Sequence, residues 1–193
     1  MNIGNSCRLT SAWSRRYSGI VAQSGRFAAS AHARKLCVMP SSSQPNAKVL
    51  FRVMNEDGSA DVETLWATHL GADEYKLDNS PFYAYGVSWE DVVSAPFNSE
   101  EGFPTFERVV SKSGNRTVRV IFETPLETGN ESDRVLRGLV ALGCSYEGAN
   151  RKYVSVNVPP GVELNVVRTY LSEQGATWEH ADPTYGALFP EDA

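Results

Sequence analysis

The chain has 193 residues, 41% of them hydrophobic, and a formal net charge of −5. That length holds one core-forming domain or two small ones, and no run approaches the ~18 consecutive apolar residues of a membrane-spanning helix, so no membrane span is expected. The charge is divided unevenly: residues 1–47 carry Arg8, Arg15, Arg16, Arg26, Arg34 and Lys35 and no acid, whereas residues 48–193 hold 12 basic and 23 acidic side chains, or −11.

Residues 1–47 are rich in Ser, Ala and Gly and show no sustained apolar period. Three readings stay open for them. The start can lie upstream of the true one, with Met39, ahead of the polar lead-in "PSSSQPNAK", as the alternative start. The segment can be an Arg-rich, Ser-rich transit peptide of the organelle-targeting type, or a disordered basic arm. On each reading it stands outside the fold. A secretory signal fits poorly, because Gly19-Ile20-Val21-Ala22 is too short an apolar region, and Gln23 to Arg26 interrupts what a twin-arginine signal needs. Cys7 and Cys37 lie here and Cys144 stands alone beyond, so no intrachain disulfide forms in the body. That points to a cytoplasmic protein, or an organelle if residues 1–38 are a transit peptide.

"KVLFRV" (48–53) alternates Val49, Phe51 and Val53 with other positions, the period of a half-buried strand. Asn55-Glu56-Asp57-Gly58 turns the chain, and "VETLWATHL" follows as a second strand whose apolar content is Val62, Leu65 and Trp66. "EYKLDN", the stretch from Pro81 to Val93, and "FPTFERVVSKSG" complete a β-rich half over residues 48–115. About five short strands with frequent turns predict a small sheet or partly open barrel.

The second half, residues 116–193, opens with a strand "RTVRVIFET". A helix follows, capped by Asn130, Ser132 or Asp133, with Val135, Leu136, Leu139, Val140 and Leu142 at helical spacing and Gly143 as its stop. Two strands span 144–158. Pro159-Pro160-Gly161 breaks the chain before a second helix (Leu164, Val167, Tyr170, Leu171), and "ATWEHA" closes as a strand. An internal repeat supports this order: Gly143 to Ala149 and Gly175 to Ala181 both read Gly-x-x-aromatic-Glu-x-Ala. Two similar strand-helix-strand halves predict a ferredoxin-like βαββαβ unit. The class is therefore α+β, with the small β half packed on the ferredoxin-like half as one compact unit, since ~70 residues alone supply a thin core.

"LDNSPFYAYGVSWEDVV" (77–93) concentrates candidate site residues. Phe82, Tyr83, Tyr85 and Trp89 can line a pocket, with Asp78, Glu90 or Asp91 as its carboxylates; paired carboxylates split acid and base roles when their environments differ. The competing structural reading makes this a packed corner, with Ser88 as the N-cap of a helical turn holding Glu90 and Asp91. The stretches "LWA", "YKLDNSPFYAYGVSWEDVVSA" and "RVVSKSGNRTVRVIF" resemble the bacterial family known as domain of unknown function 4265, most closely over Leu65–Phe122. The resemblance implies a compact bacterial protein beginning near Lys48. It carries no activity and no catalytic residues.

His69, His180 and Cys144 show no metal-ligand spacing, so neither metal nor cofactor is expected; Cys144 reads as a small buried hydrophobe. Glu147 and Glu179, equivalent in the repeat, read as solvent-facing strand positions, with a pseudo-twofold ligand site as the alternative. The function expected is a non-catalytic binding module for a protein or small ligand, with Asp78, Tyr83, Tyr85, Trp89 and Glu90 as ligand-binding candidates. The alternative is a small hydrolase-like enzyme using Asp78 or Glu90 beside Tyr85 and Trp89. Nucleic acid is disfavoured as a partner by the −11 body and by a third strand, "KYVSVNV", with Tyr153 as its one stacking aromatic. The oligomeric state is left open.

Overall fold

The computed structural model describes residues 45–55 and 57–192, so the readings of the leading segment, with Met39, Cys7 and Cys37, lie outside the described residues. The fold is α+β, with mostly antiparallel sheets and three α-helices among those residues. No helix of the described residues is long and apolar enough to cross a membrane.

Five strands form the first sheet: β1 (Ala47–Met54), β2 (Ala60–Gly71), β3 (Glu74–Leu77), β4 (Val92–Ser94) and, after a small hairpin of β5 (Phe97–Asn98) and β6 (Phe103–Pro104), β7 (Arg108–Ser111). They lie in the order β1-β2-β3-β4-β7, all antiparallel. At the β1–β2 turn the Asp57 carboxylate accepts from the Ser59 N–H (2.9 Å), and Gly58 takes φ +82°. Val49, Phe51, Leu65, Ala67, Tyr75, Leu77 and Val93 make the core, roofed by Ala84 and Val87. Val62, Trp66 and Leu70, which look like core letters in the sequence, are exposed on the opposite face of β2.

The sheet is open, with β1 and β7 at its edges, and no closed barrel forms among the described residues. Residues 105–107, which would have to bridge those edges, divide their hydrogen bonds. Phe106 donates to the Leu50 carbonyl of β1 (2.8 Å) and Glu107 to the Ser94 carbonyl of β4 (2.9 Å). One parallel bridge, Leu50 to Thr105, and a stacked Phe51–Phe106 pair (centroids 4.6 Å) cover the β1 edge without a continuous ladder.

The second half runs β8 (Arg116–Ile121), α1 (Glu131–Ala141), β9 (Ser145–Gly148), β10 (Tyr153–Val158), α2 (Leu164–Glu173) and β11 (Thr177–Asp182), in a sheet ordered β11-β8-β10-β9. Asn130 is the cap of α1, its side chain accepting from Asp133 N–H at 3.0 Å, and Gly143 stops the helix with φ +97°. One sheet face, with Val118, Val120, Val154 and Val156, packs on Val135, Leu136 and Leu139 of α1 and Val167 and Leu171 of α2. A short helix α3 (Tyr185–Leu188) follows, which helical spacing in so short a run does not announce. β10 is buried at every position, so both faces of this sheet are covered. The register sets Arg119 opposite both Ser155 and Glu179, and Thr117 opposite Asn157, on the face away from the helices. That second face is polar, and residues 80–91 lie on it.

Candidate functional site

Residues 80–86 form no helix or strand, yet Ser80, Pro81, Phe82 and Ala84 are buried. Buried backbone N–H and C=O groups need partners, and here side chains supply nearly all of them. The Glu147 carboxylate accepts from Ser80 N–H (3.1 Å). Glu63, only 5% exposed, accepts from three successive amides: Phe82 at 2.7 Å, and Tyr83 and Ala84 at 2.9 Å each. The carbonyls of Pro81, Phe82 and Ala84 receive bonds from Ser155 Oγ (2.8 Å), the Tyr153 hydroxyl and Arg119 Nη2. Gly86 donates to the Ala181 carbonyl (2.9 Å) and accepts from Lys112 Nζ (2.8 Å).

Arg119 is the centre of this seam. It is 1% exposed, 3.1 Å from Glu179 Oε1, and its guanidinium carbon lies 4.4 Å from the centroid of the Tyr85 ring. The Tyr85 hydroxyl donates to Glu179, 3.0 Å from both oxygens. Burial first, then the Glu179 charge, pushes the Tyr85 hydroxyl up to about 12. Burial also raises Tyr153 far above its ordinary value, and raises Tyr83 with help from the Glu63 charge. Burial raises Glu179 as well, outweighing Arg119 and the bonds from Tyr85 and Arg119. For Arg119, desolvation is more than offset by Tyr153, Glu179, Tyr85 and Glu63, so its charge is held more firmly than usual. The tyrosines keep their protons and the arginine its charge, as an internal hydrogen-bonded network requires.

A second knot ties the other end of the segment. Asp91, fully buried, accepts from Ser88 N–H (2.8 Å) through one oxygen and from Ser113 N–H (2.8 Å) through the other. Lys112 Nζ lies 3.0 Å from Asp91 Oδ2 and 2.7 Å from Asp182 Oδ2. Ser88 Oγ donates to Asp182 (2.6 Å) and lies 2.9 Å from Thr117 Oγ1. One ammonium thus holds a carboxylate from each half of the chain.

Both knots lie within residues 63–180 apart from Ala181 and Asp182, and that span matches the family model described as Domain of unknown function (DUF4265). The chain belongs to this family. Among curated proteins, none matches it. Among solved structures it is similar to a hypothetical protein from Neisseria gonorrhoeae, with 14% identity and a TM-score of 0.63 over 75% of this chain and 99% of that one; the two share a fold.

In this DUF4265 chain the five candidates from the sequence divide. Tyr83 and Tyr85 join the Arg119 cluster, with the Tyr83 ring 5.7 Å from that of Tyr153. Asp78 is half-buried and donates its N–H to the Trp66 carbonyl (2.7 Å). Trp89 accepts at its carbonyl from Ser113 Oγ (2.7 Å) and Asn115 Nδ2 (3.0 Å). Glu90 is exposed, with φ +64°, and sits 4.0 Å from Lys76. Ser88 caps no helix: residues 88–91 form a tight turn in which the Asp91 side chain accepts from Ser88 instead. Glu147 and Glu179, read as solvent-facing, both turn into the seam, so the repeat places one glutamate of each copy against residues 80–86. Glu63, Arg119, Lys112 and Asp182 were not singled out by sequence reading. The available signal was that Glu63 alternates in phase with the apolar Leu65 and Ala67.

The remaining candidates stay apart. Cys144 belongs to the core of the second half, and burial pushes its thiol up to about 11. His69 Nε2 lies 2.6 Å from the Ala72 carbonyl. No group of three or more metal-ligating side chains comes together among the described residues.

Proposed function

We propose that this chain is a non-catalytic binding module that recognises a basic protein partner through its acidic surface. One observation supports this reading above others. The buried acids Glu63, Asp91, Glu179 and Asp182 are engaged in the seam, so the excess of 23 acids over 12 bases in residues 48–193 is carried largely by side chains in contact with solvent. A field of that sign speeds encounter with a basic surface and disfavours nucleic acid. In the hydrolase-like alternative Asp78 and Glu90 would act beside Tyr85. In this structure Tyr85 is bonded to Glu179, and nothing favours that reading.

We further read the order β11-β8-β10-β9, with both helices on one face, as a ferredoxin-like arrangement. Residues 48–115 and 116–193 join on it as one unit, in a cytoplasmic protein. The test is affinity capture with the tagged full-length chain from its own cell lysate at roughly 50 mM and 500 mM salt, followed by titration with the purified partner. A stoichiometric basic protein, bound at low salt, released at high salt and lost when surface acids are neutralised, is the expected result. Binding indifferent to salt and to those substitutions refutes the acidic surface as the instrument.

A further inference from the structure

The first sheet buries one face in its own core and turns the other to solvent. Register and alternation put Arg52 and Met54 of β1 on that outer face, beside Val62, Thr64, Trp66 and Leu70 of β2. Four of these are large apolar side chains left well exposed: Met54 at 67%, Val62 at 60%, Leu70 at 52% and Trp66 at 39%. Val62, Trp66 and Leu70 follow at intervals of four and form one stripe running ~27 Å along β2. Apolar residues exposed singly need no explanation, but a row of them on one sheet face marks a place where something docks.

The charges around the stripe say what kind of occupant suits it. Arg52 is paired with Glu101, and Lys76 lies 4.0 Å from Glu90. Lys48 rests over the Trp66 ring, 4.5 Å from its centroid. Asp61 stands at one end of the stripe, Asp73 and Glu74 at the other, and Asp78 beside it, its N–H meeting the Trp66 carbonyl. None of these four acids makes an ion pair among the described residues. An apolar stripe with an acidic rim fits a basic chain that also carries apolar side chains.

The protein itself supplies such an occupant. Residues 1–44 hold Arg8, the Arg15-Arg16 pair, Arg26, Arg34 and Lys35 and no acid, with Trp13, Tyr17, Ile20 and Phe27 interleaved. They join the body at Asn46, whose N–H donates to the Ala67 carbonyl (3.1 Å) and whose side chain accepts from His69 N–H (3.0 Å). That anchor stands at the Leu70 end of the stripe, and roughly ten residues of extended chain reach from there to Val62. A tether this close holds the segment at an effective concentration on the order of millimolar, so a weak contact suffices.

We propose that residues 1–44 dock on the outer face of the first sheet, their bases against Asp61, Asp73, Glu74 and Asp78 and their apolar side chains on Val62, Trp66 and Leu70. The docked segment occupies acidic surface that a basic partner needs, so the partner must displace it; this consequence, unlike the docking, rests on the binding-module reading.

The test is paramagnetic broadening in the NMR spectrum of the full-length chain, with no partner added. A nitroxide is attached to Cys7 in a Cys37→Ser chain. Cys144 stays unlabelled, because it is buried and its thiol is pushed up to about 11. At roughly 50 mM salt the amides of Val62 and Thr64, at the far end of the face from the Asn46 anchor, should broaden, and at roughly 500 mM they should recover. Asp73→Asn with Glu74→Gln should lower the docked fraction roughly 2- to 10-fold, and Trp66→Ser should lower it as well; all three positions are exposed, so these variants keep the fold. No broadening at low salt, broadening spread evenly over the whole surface, or broadening unchanged in both variants overturns the proposal. Broadening of equal strength when the nitroxide and the observed amides are on separate chains also overturns it, since the occupant is then a second copy. With no partner present, failure of this docking and failure of partner binding are read separately.

Discussion

The Glu63 carboxylate gives the sharpest test of the seam. Its Oε1 accepts from Phe82 N–H and its Oε2 from both Tyr83 and Ala84 N–H, so three buried amides depend on one side chain. Glu63→Gln keeps the shape but only one accepting oxygen. The better rotamer sets that oxygen where Oε2 stands, keeping two bonds, and turns its NH2 toward the Phe82 amide, donor against donor. One charge-assisted bond is lost, at about 1.5–3 kcal/mol, and two become neutral bonds worth about 1 kcal/mol each. The expected destabilisation is therefore about 2.5–7 kcal/mol, a large share of the ~5–15 kcal/mol that holds a small protein folded. Glu63→Ala, which orphans all three amides, should cost more. Urea denaturation at constant m-value measures the loss, and hydrogen exchange locates it, with Phe82 losing more protection than Tyr83 or Ala84. A Glu63→Gln protein within ~0.5 kcal/mol of the parent, with Phe82 protected as before, would refute the reasoning, since surface-type substitutions fall in that range.

His180 takes its proton near 6.5 when unfolded and at about 4 when folded. Stability should thus fall as pH drops through that window, by a ceiling of about 3 kcal/mol. His180→Phe should flatten that part of the profile when urea midpoints are compared at pH 7 and 4.5. Glu179, held above its usual value, contributes with the opposite sign in both proteins and cancels from the comparison. Lys112→Met leaves the buried carboxylates of Asp91 and Asp182 without their shared cation. The Lys112 side chain is 45% exposed, so solvent moderates the loss to about 2–3 kcal/mol. Adding Asp182→Asn should recover part of it in a double-mutant cycle. At Gly138 a Cβ would come within 1.9 Å of the Tyr170 hydroxyl. Gly138→Ala should accordingly destabilise by about 1–2 kcal/mol despite its better helix propensity, and turn stabilising in a Tyr170→Leu background; equal effects in both backgrounds would disprove the clash.

The helices were legible because Val135, Leu136 and Leu139, and Val167 and Leu171, recur at helical spacing between a capping Asn130 and stopping glycines. The strands were legible by alternation, but alternation fixes only which residues share a face. In β2 the apolar residues Val62, Leu65 and Trp66 fall on both faces and so leave the buried face undecided; the buried set is Glu63, Leu65 and Ala67. In β8, Arg119 alternates with buried valines as a solvent-facing residue would. It is buried because a segment 35 residues earlier in the chain lies over it, as its bond to the Ala84 carbonyl records. No local pattern carries that fact. The spacing of Ser88 and Asp91 was likewise ambiguous: a helix cap would have the Ser88 hydroxyl accept from the Asp91 N–H, and the turn reverses the pair, with the Asp91 carboxylate accepting from the Ser88 N–H.

The partners of residues 80–86 also set a timetable for synthesis. Tyr85 and Glu179 are 94 residues apart, and Tyr153 and Phe82 are 71 apart. At ~5–20 residues per second a ribosome needs roughly 5 to 20 s to add the last of those partners after Tyr85. During that interval the Ser80 amide that later meets Glu147 and the carbonyls that later meet Tyr153, Ser155 and Arg119 have only water. The first sheet must wait, partly roofed, for the second to be made. Closing so long a loop comes late in folding, so the nascent chain is most exposed to aggregation, and to chaperones, just before its final strand leaves the ribosome.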